Sequence, residues 1–133
     1  ELGVTRIVPV ECARREKKGI NVERSQKILR EAAEQSGRVI LPVFDDMVRV
    51  QEKIKKYSQT IIVLEPHGET SAREYFTINN TASIGLIVGP EGGFTKEEVE
   101  FFEKNDAPIV TTGSTILRAE TAAIVALTLA LTI

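Results

Sequence analysis

Cysteine and histidine are scarce in this sequence, with one residue of each among 133. A single cysteine, Cys12, excludes an internal disulfide and a metal site made of several cysteines. Histidine, cysteine and carboxylate residues nowhere show the spacing of metal ligands, so we expect no metal site. A lone thiol fits a reducing cytoplasm, where we expect the protein to work, and Cys12 is predicted to be a small buried hydrophobic residue.

Long apolar runs and an excess of positive charge are also absent. The longest apolar stretch, residues 122–133, is well below the roughly 20 residues that cross a bilayer, so we expect no membrane span. The chain does not begin with a basic segment followed by an apolar run, which argues against a signal peptide. The formal net charge of -2 gives no global case for nucleic-acid binding, so any contact with RNA must be local.

Strand-like and helix-like patterns alternate along the chain. Strand-like runs cover residues 4–10, 39–43, 60–64, 84–88 and 108–110, and helical spacing covers residues 21–36, 47–57, 95–105 and 119–131. The runs at 60–64 and 84–88 are continuously apolar, as expected for central strands of a parallel sheet that is covered on both faces. We therefore predict one α/β domain over residues 1–133, with a mainly parallel sheet and helices on both faces.

Two local signals mark helix ends. Thr95 and Glu98 form the pattern of a capping box, in which each residue satisfies a free amide of the other, so a helix should start at about Thr95. Gly37 follows the helical pattern of residues 21–36 and is predicted to cap that helix.

Three loops follow predicted strands, at the edge where open α/β sheets bind their ligands. They are residues 65–68 (EPHG), 89–94 (GPEGGF) and 111–118 (TTGSTILR). The glycines of the second loop allow the backbone to approach a ligand closely, although a tight turn without a ligand explains the spacing equally well. The loop matches neither G-x-G-x-x-G nor a P-loop, and the charge of Glu91 suits a positively charged ligand such as a sulfonium better than a polyphosphate.

Two of these blocks carry a family resemblance. GPEGGF at 89–94 and ILRAETA at 116–122 resemble the 16S ribosomal RNA uridine-N3 methyltransferase family of the SPOUT superfamily, and ELGV at 1–4 and EAAEQSGR at 31–38 add to the likeness. The resemblance implies S-adenosylmethionine as cofactor, a trefoil knot near the carboxyl terminus and a homodimer. It also implies methylation of N3 of a uridine in 16S ribosomal RNA of the small subunit.

The resemblance further implies a PUA-like RNA-binding domain before the catalytic one. Because the sequence opens without methionine, in a strand-like run, we expect it to be the catalytic domain alone. One departure is that family members often carry an arginine shortly before the I-L-R triplet, where this chain has Ser114 and Thr115.

On the basis of this resemblance, we assign candidate site residues. Arg118 is the predicted substrate contact, because a guanidinium offers a fixed fork of donors to phosphate or uracil oxygens, and Glu120 is grouped with it as catalytic. The alternative is that Arg118 has no functional role and is a surface residue at the start of the helix, paired with Glu120. The predicted cofactor contacts are Leu64, Glu65, Pro66, Gly89, Pro90, Glu91, Gly92, Gly93, Gly113, Ile116, Leu117, Thr121 and Ala122.

Contacts with RNA are predicted for a short basic run and for the end of the first helix. The candidates are Arg14, Arg15, Lys17, Lys18, Gln35 and Arg38, together with Arg118. Basic runs are also typical of solvated loops. His67 follows a strand and is expected to be a loop hydrogen bonder more than a catalyst.

Several alternatives stay open at this point. The helix at 119–131 is small and apolar on most faces, which suits either a dimer interface or a monomer core. Another SPOUT enzyme, acting on transfer RNA or on a ribose hydroxyl, would share the glycine loop. A non-catalytic RNA-binding or assembly module would retain the fold without the activity.

Overall fold

A computed structural model describes residues 1–15, 19–56, 60–79 and 83–132. Within these ranges the strands are β1 Arg6–Ile7, β2 Val10–Glu11, β3 Val43–Phe44, β4 Val48–Arg49, β5 Thr60–Leu64, β6 Thr70–Ser71, β7 Ile84–Val88 and β8 Ile109–Thr111. The helices are α1 Val22–Gln35, α2 Val50–Lys56, α3 Ala72–Ile78, α4 Lys96–Lys104 and α5 Ala119–Thr132. None of the helices in the described ranges is long and apolar enough to span a membrane.

The main sheet has four parallel strands in the order β6-β8-β5-β7. β5 and β7 pair along their whole length, from Thr60 opposite Ile84 to Leu64 opposite Val88. Two further parallel pairs, β1 with β3 and β2 with β4, lie outside this sheet. Because all four strands run the same way, the loops that follow β5, β7 and β8 emerge at one edge.

Alternating residues of β5 enter two separate cores, one on each face of the sheet. Val63 packs with residues from α2 and α4, among them Val50 and Phe102. Ile62 packs with residues from α3 and α5, among them Phe76 and Ala126. This arrangement confirms the predicted α/β fold with helices on both faces, and Cys12 is buried in the first core as expected.

The predicted helix ends are confirmed. In α4 the hydroxyl of Thr95 accepts from the Glu98 amide at 3.2 Å, and the Glu98 carboxylate accepts from the Thr95 amide at 2.9 Å. Gly37 follows α1 with φ +71°, the left-handed conformation that commonly ends a helix.

Several sequence-based boundaries were wrong. The run at 4–10 forms two short strands, interrupted at Pro9, which has no amide hydrogen to pair. The run at 39–43 is a strand only from Val43, and Val39 is 97% exposed. The helix predicted over 47–57 begins at Val50, because Val48 and Arg49 pair with β2. The last residue of the predicted helix, Tyr57, lies outside the described residues.

The sequence patterns also missed β6 and α3 and misplaced β7. Ser71 caps α3 by accepting from the Glu74 amide at 3.3 Å, so a Ser-x-x-Glu signal was present in the sequence. β5 is central as predicted. β7, however, stands at the end of the strand order in the described part of the chain, so the central placement predicted for it was wrong.

Candidate functional site

A cleft of about 240 Å³ opens where the loops after β5 and β7 meet the segment that leads into α5. It is somewhat smaller than the roughly 300 to 1,000 Å³ usual for small-ligand sites. The lining consists of Leu64, Glu65, Pro66, Val88, Gly89, Pro90, Glu91, Gly93, Phe94, Thr112, Thr115, Ile116, Leu117, Arg118, Ala119 and Ala122. The GPEGGF and ILRAETA blocks, well separated in sequence, therefore share one cavity.

Most of the predicted cofactor residues line this cleft. Outside the lining lie Gly92, Gly113 and Thr121, all three of them exposed. Sequence reasoning did not assign Val88, Phe94, Thr112, Thr115 or Ala119, although each is in or beside one of the selected blocks. Assigning every residue of each block would have included all of them except Val88, which immediately precedes GPEGGF.

The glycine loop owes its shape to specific contacts. Gly93 has φ +67°, and its amide donates to the carbonyl of Pro90 at 2.8 Å, which closes a tight turn. A Cβ atom on Gly89 would lie 2.9 Å from the ring of Phe94. Phe94 is buried and packs edge-to-face on Phe102 with ring centroids 5.0 Å apart. The loop is thus anchored to the core at its exit.

Gly92 lies outside the cleft lining and beside Arg14. A Cβ atom added there would lie 3.1 Å from the Cβ of Arg14. This distance is shorter than an ordinary van der Waals contact, so a side chain at position 92 would require Arg14 to shift slightly.

The loop after β5 is joined to β8. The Glu65 amide donates to the Val110 carbonyl at 3.0 Å, and the Thr111 hydroxyl donates to the Pro66 carbonyl at 3.2 Å. A Cβ atom on Gly68 would lie 2.9 Å from the carbonyl carbon of Val110. These contacts leave no room for a side chain at Gly68 and hold two walls of the cleft together.

Glu65 carries an unusual polar atom. Its Oε2 is buried and accepts no hydrogen bond from the described residues. Buried carboxylate oxygens are almost always paired, so an orphaned one calls for an explanation. Since Glu65 lines the cleft, a ligand with hydrogen-bond donors would supply the missing partner.

Arg118 lies immediately before α5, where its carbonyl accepts from the Ala122 amide at 2.8 Å. Its side chain lines the cleft and is exposed. Within the described residues its guanidinium forms no hydrogen bond or ion pair, so the pairing with Glu120 considered above does not occur. Glu120 itself is exposed in the first turn of α5, outside the lining.

Three of the four arginines predicted to bind RNA, namely Arg14, Arg15 and Arg38, have side-chain contacts inside the chain. Arg14 donates to the carbonyls of Gly92 at 3.0 Å and Phe94 at 3.2 Å. Arg15 donates to Met47 Sδ and to the Gly19 carbonyl. Arg38 donates to the Val4 carbonyl at 2.9 Å.

The other predicted polar residues are less constrained. Gln35 is exposed at the end of α1, while Lys17 and Lys18 lie outside the described residues. His67 is exposed on a neighbouring groove and makes no side-chain hydrogen bond with the described part of the chain, so the loop hydrogen bond expected of it is absent. Among the described residues no three histidine, cysteine or carboxylate side chains are grouped as metal ligands.

Comparison with known proteins places this chain in a family. The family model of the RNA methyltransferase domain matches residues 1–131, and the chain belongs to this family. Its relatives include the ribosomal RNA small subunit methyltransferase E of Rickettsia conorii, 35% identical over 130 residues that make up 96% of this chain and 53% of the relative. The protein of the same name from Bacillus subtilis is 33% identical over 141 residues, covering 96% of this chain and 55% of its own length.

A solved structure gives the same result. The ribosomal RNA small subunit methyltransferase E of Neisseria gonorrhoeae, bound to S-adenosyl methionine, superposes with a TM-score of 0.84 at 30% identity, over 96% of this chain and 54% of that one. The family resemblance predicted from GPEGGF and ILRAETA is thereby confirmed. The chain spans about half the length of the relatives it matches.

Proposed function

We propose that this chain is the catalytic part of an S-adenosylmethionine-dependent methyltransferase that methylates N3 of a uridine in 16S ribosomal RNA. The observation that carries the proposal is the single cleft lined by both the GPEGGF loop and the ILRAETA segment. The relatives' names support ribosomal RNA of the small subunit as the substrate class. The bound ligand of the Neisseria gonorrhoeae relative supports the cofactor.

The residues of the cleft fit such a cofactor. Leu64, Val88 and Ile116 provide an apolar surface for an adenine ring, and Glu65 Oε2 offers an acceptor that lacks a donor. The carboxylate of Glu91 suits the positive charge of a sulfonium. When bound, S-adenosylmethionine supplies an activated methyl group, so the protein's main task is to hold donor and nucleophile in line.

The reaction also requires the N3 proton of uracil to leave. As it leaves, negative charge spreads onto the neighbouring carbonyl oxygens, and the guanidinium of Arg118 is suited to stabilise that charge. Glu91, Glu120 and water are the candidates for the proton acceptor. N3 then bonds to the methyl carbon while the carbon–sulfur electrons return to sulfur, leaving S-adenosylhomocysteine.

The trefoil knot is part of the same proposal. It is supported by the position of β8 between β5 and β6 and by the hydrogen bonds that tie the loop after β5 to β8. A threaded segment at this point would bring the cleft loops together.

A homodimer is also proposed, with α5 at its interface. Ile124 and Leu131 are 56% and 62% exposed on this helix, and covering apolar side chains of this kind would favour association. Sedimentation equilibrium of the chain and of Ile124→Glu tests this point. We expect a dimer that the substitution weakens, and a monomer in both samples would refute it.

RNA binding and a preceding PUA-like domain are also parts of the proposal. The residues proposed to bind RNA are Arg14, Arg15, Lys17, Lys18, Gln35, Arg38 and Arg118. A catalytically silent RNA-binding module and an enzyme acting on transfer RNA or a ribose hydroxyl are the alternatives, and one experiment separates them.

Calorimetry with S-adenosylmethionine is followed by incubation of the protein with 30S subunits and with transfer RNA, and by mass spectrometry of the nucleosides. Cofactor binding and N3-methyluridine in 16S RNA are expected. A ribose methyl or a modified transfer RNA would overturn the N3 assignment. Binding without transfer would favour the silent module, and absence of binding would overturn the cofactor assignment.

A further inference from the structure

Arg14, in the amino-terminal part of the sequence, contacts the glycine loop at residues 89–94. One guanidinium nitrogen, Nη1, donates to the carbonyls of both Gly92 and Phe94. The Arg14 Cβ also lies beside Gly92, where an added Cβ atom would be 3.1 Å away. The arginine therefore covers the face of the loop on which Gly92 lies, while Gly93 and Phe94 contribute to the cleft lining.

Both peptide groups that Arg14 contacts are also held by their nitrogen atoms. In the peptide that joins Gly92 to Gly93, the carbonyl accepts from Arg14 and the amide donates to the Pro90 carbonyl at 2.8 Å. In the peptide that joins Phe94 to Thr95, the carbonyl accepts from Arg14 and the amide donates to the Glu98 carboxylate at 2.9 Å. Because a peptide group is planar, fixing both of its ends fixes its orientation.

Arg14 is itself held in place. The amide of Ala13 donates to Glu98 Oε1 at 2.9 Å, and Glu98 is only 3% exposed. Next to it, Cys12 is buried in the core beside Phe94 and Phe102. The turn that carries Arg14 is thus docked on the start of α4, and the same carboxylate anchors both the arginine's turn and the end of the loop.

We propose that Arg14 is a positioning residue that holds the loop at 89–94 in the shape that binds the cofactor. A guanidinium suits this role because its planar donors keep a fixed geometry, whereas a lysine ammonium on a flexible stem does not. Arg14 acts through the loop, on the face away from the ligand. The identity of the ligand rests on the proposed function. The conclusion that Arg14 holds the loop in place rests on the hydrogen bonds alone.

Arg14→Met removes the guanidinium and retains an unbranched side chain of similar reach. We expect its dissociation constant for S-adenosylmethionine, measured by calorimetry on the full chain, to rise about tenfold or more, which corresponds to loss of a charge-assisted hydrogen bond. Arg14→Lys should recover part of the affinity, and Arg73→Met, an exposed arginine of α3 outside the cleft, is the matched control.

Hydrogen exchange at the amides of Gly93 and Thr95 separates this inference from the proposed function. We expect faster exchange at both in Arg14→Met than in wild type or Arg73→Met, without any cofactor. If the wild-type protein does not bind S-adenosylmethionine but exchange is faster in Arg14→Met, the proposed function is wrong, and the conclusion that Arg14 holds the loop in place is still supported. Unchanged exchange, or an unchanged dissociation constant in a folded Arg14→Met protein, would overturn the positioning role. If Arg14→Met does not fold, Arg14→Lys carries the same two measurements.

Discussion

Glu98 and Ala13 are joined by a hydrogen bond of 2.9 Å across 85 positions of the sequence. The second oxygen of the same carboxylate closes the capping box of α4 on the Thr95 amide. One buried side chain thus stabilises the start of a helix and fastens the amino-terminal turn to it.

The first prediction is that Glu98→Gln lowers the free energy of unfolding by about 2 kcal/mol, because an amide group cannot accept on both sides and its NH2 would face a backbone donor. Urea unfolding measures the effect. Glu100→Gln, exposed on the same helix, is the control and should stay within about 0.5 kcal/mol of wild type. Equal effects of the two substitutions would contradict the prediction.

A second prediction concerns Gly68. A Cβ atom there would lie 2.9 Å from the carbonyl carbon of Val110 and 3.0 Å from the amide nitrogen of Thr111. Since both neighbours are backbone atoms of β8, Gly68→Ala should cost about 1 to 3 kcal/mol of stability through overpacking. It should also weaken binding of S-adenosylmethionine.

Glu69→Ala, at the exposed neighbouring position, is the control for Gly68→Ala. Thermal unfolding and calorimetry compare the two proteins. Wild-type stability in Gly68→Ala would show that the loop and β8 separate easily.

The third prediction tests Arg118. Its guanidinium lines the cleft without a partner among the described residues, so Arg118→Ala should leave the affinity for S-adenosylmethionine within about twofold. Methyl transfer to 30S subunits should fall about a hundredfold, the usual loss when one donor to a developing oxyanion is removed. Arg73→Met should retain both properties. Wild-type turnover of Arg118→Ala would dismiss the proposed role.

A fourth prediction concerns pH and Asp45. Hydrogen bonding from Arg6 at 2.8 and 2.9 Å holds the pKa of the Asp45 carboxyl below its ordinary 3.8, with Lys53 nearby contributing less. A carboxyl whose pKa is lowered in the folded state stabilises the fold above its unfolded pKa, and that contribution disappears as the pH falls through the folded pKa.

Asp45→Asn should therefore lower the thermal midpoint at neutral pH, and the difference from wild type should shrink below about pH 4. Asp46→Asn, at the exposed neighbouring position, serves as control. A difference that is constant from pH 7 down to pH 2 would rule out the linkage.

The fifth prediction concerns the thiol of Cys12. Burial raises its pKa to about 11, the charge of Glu98 adds to that shift, and Arg15 opposes it. The reactive thiolate is therefore scarce at neutral pH. We expect Cys12 to resist iodoacetamide at pH 7.5 in the native protein and to react once urea unfolds the chain. Rapid labelling of the native protein would contradict this.

Much of the fold follows from signals that act over a few residues. The continuous apolar runs at 60–64 and 84–88 specify β5 and β7, the Thr95 and Glu98 pair specifies the start of α4, and the apolar segment after Arg118 specifies α5. The order of strands and helices placed three loops at one edge of a parallel sheet, so most of the cleft could be predicted as well.

Other features were decided only by the tertiary structure. In the tertiary structure β7 stands at the end of the described sheet, Val39 is exposed, and a Cβ atom at Gly92 would face Arg14. Hydrophobic periodicity and capping report only on neighbours within a turn or two of the chain. The contacts of Arg14 and Glu98 join segments about 80 residues apart, and such pairs depend on how the crossovers stack the strands, which local patterns do not encode.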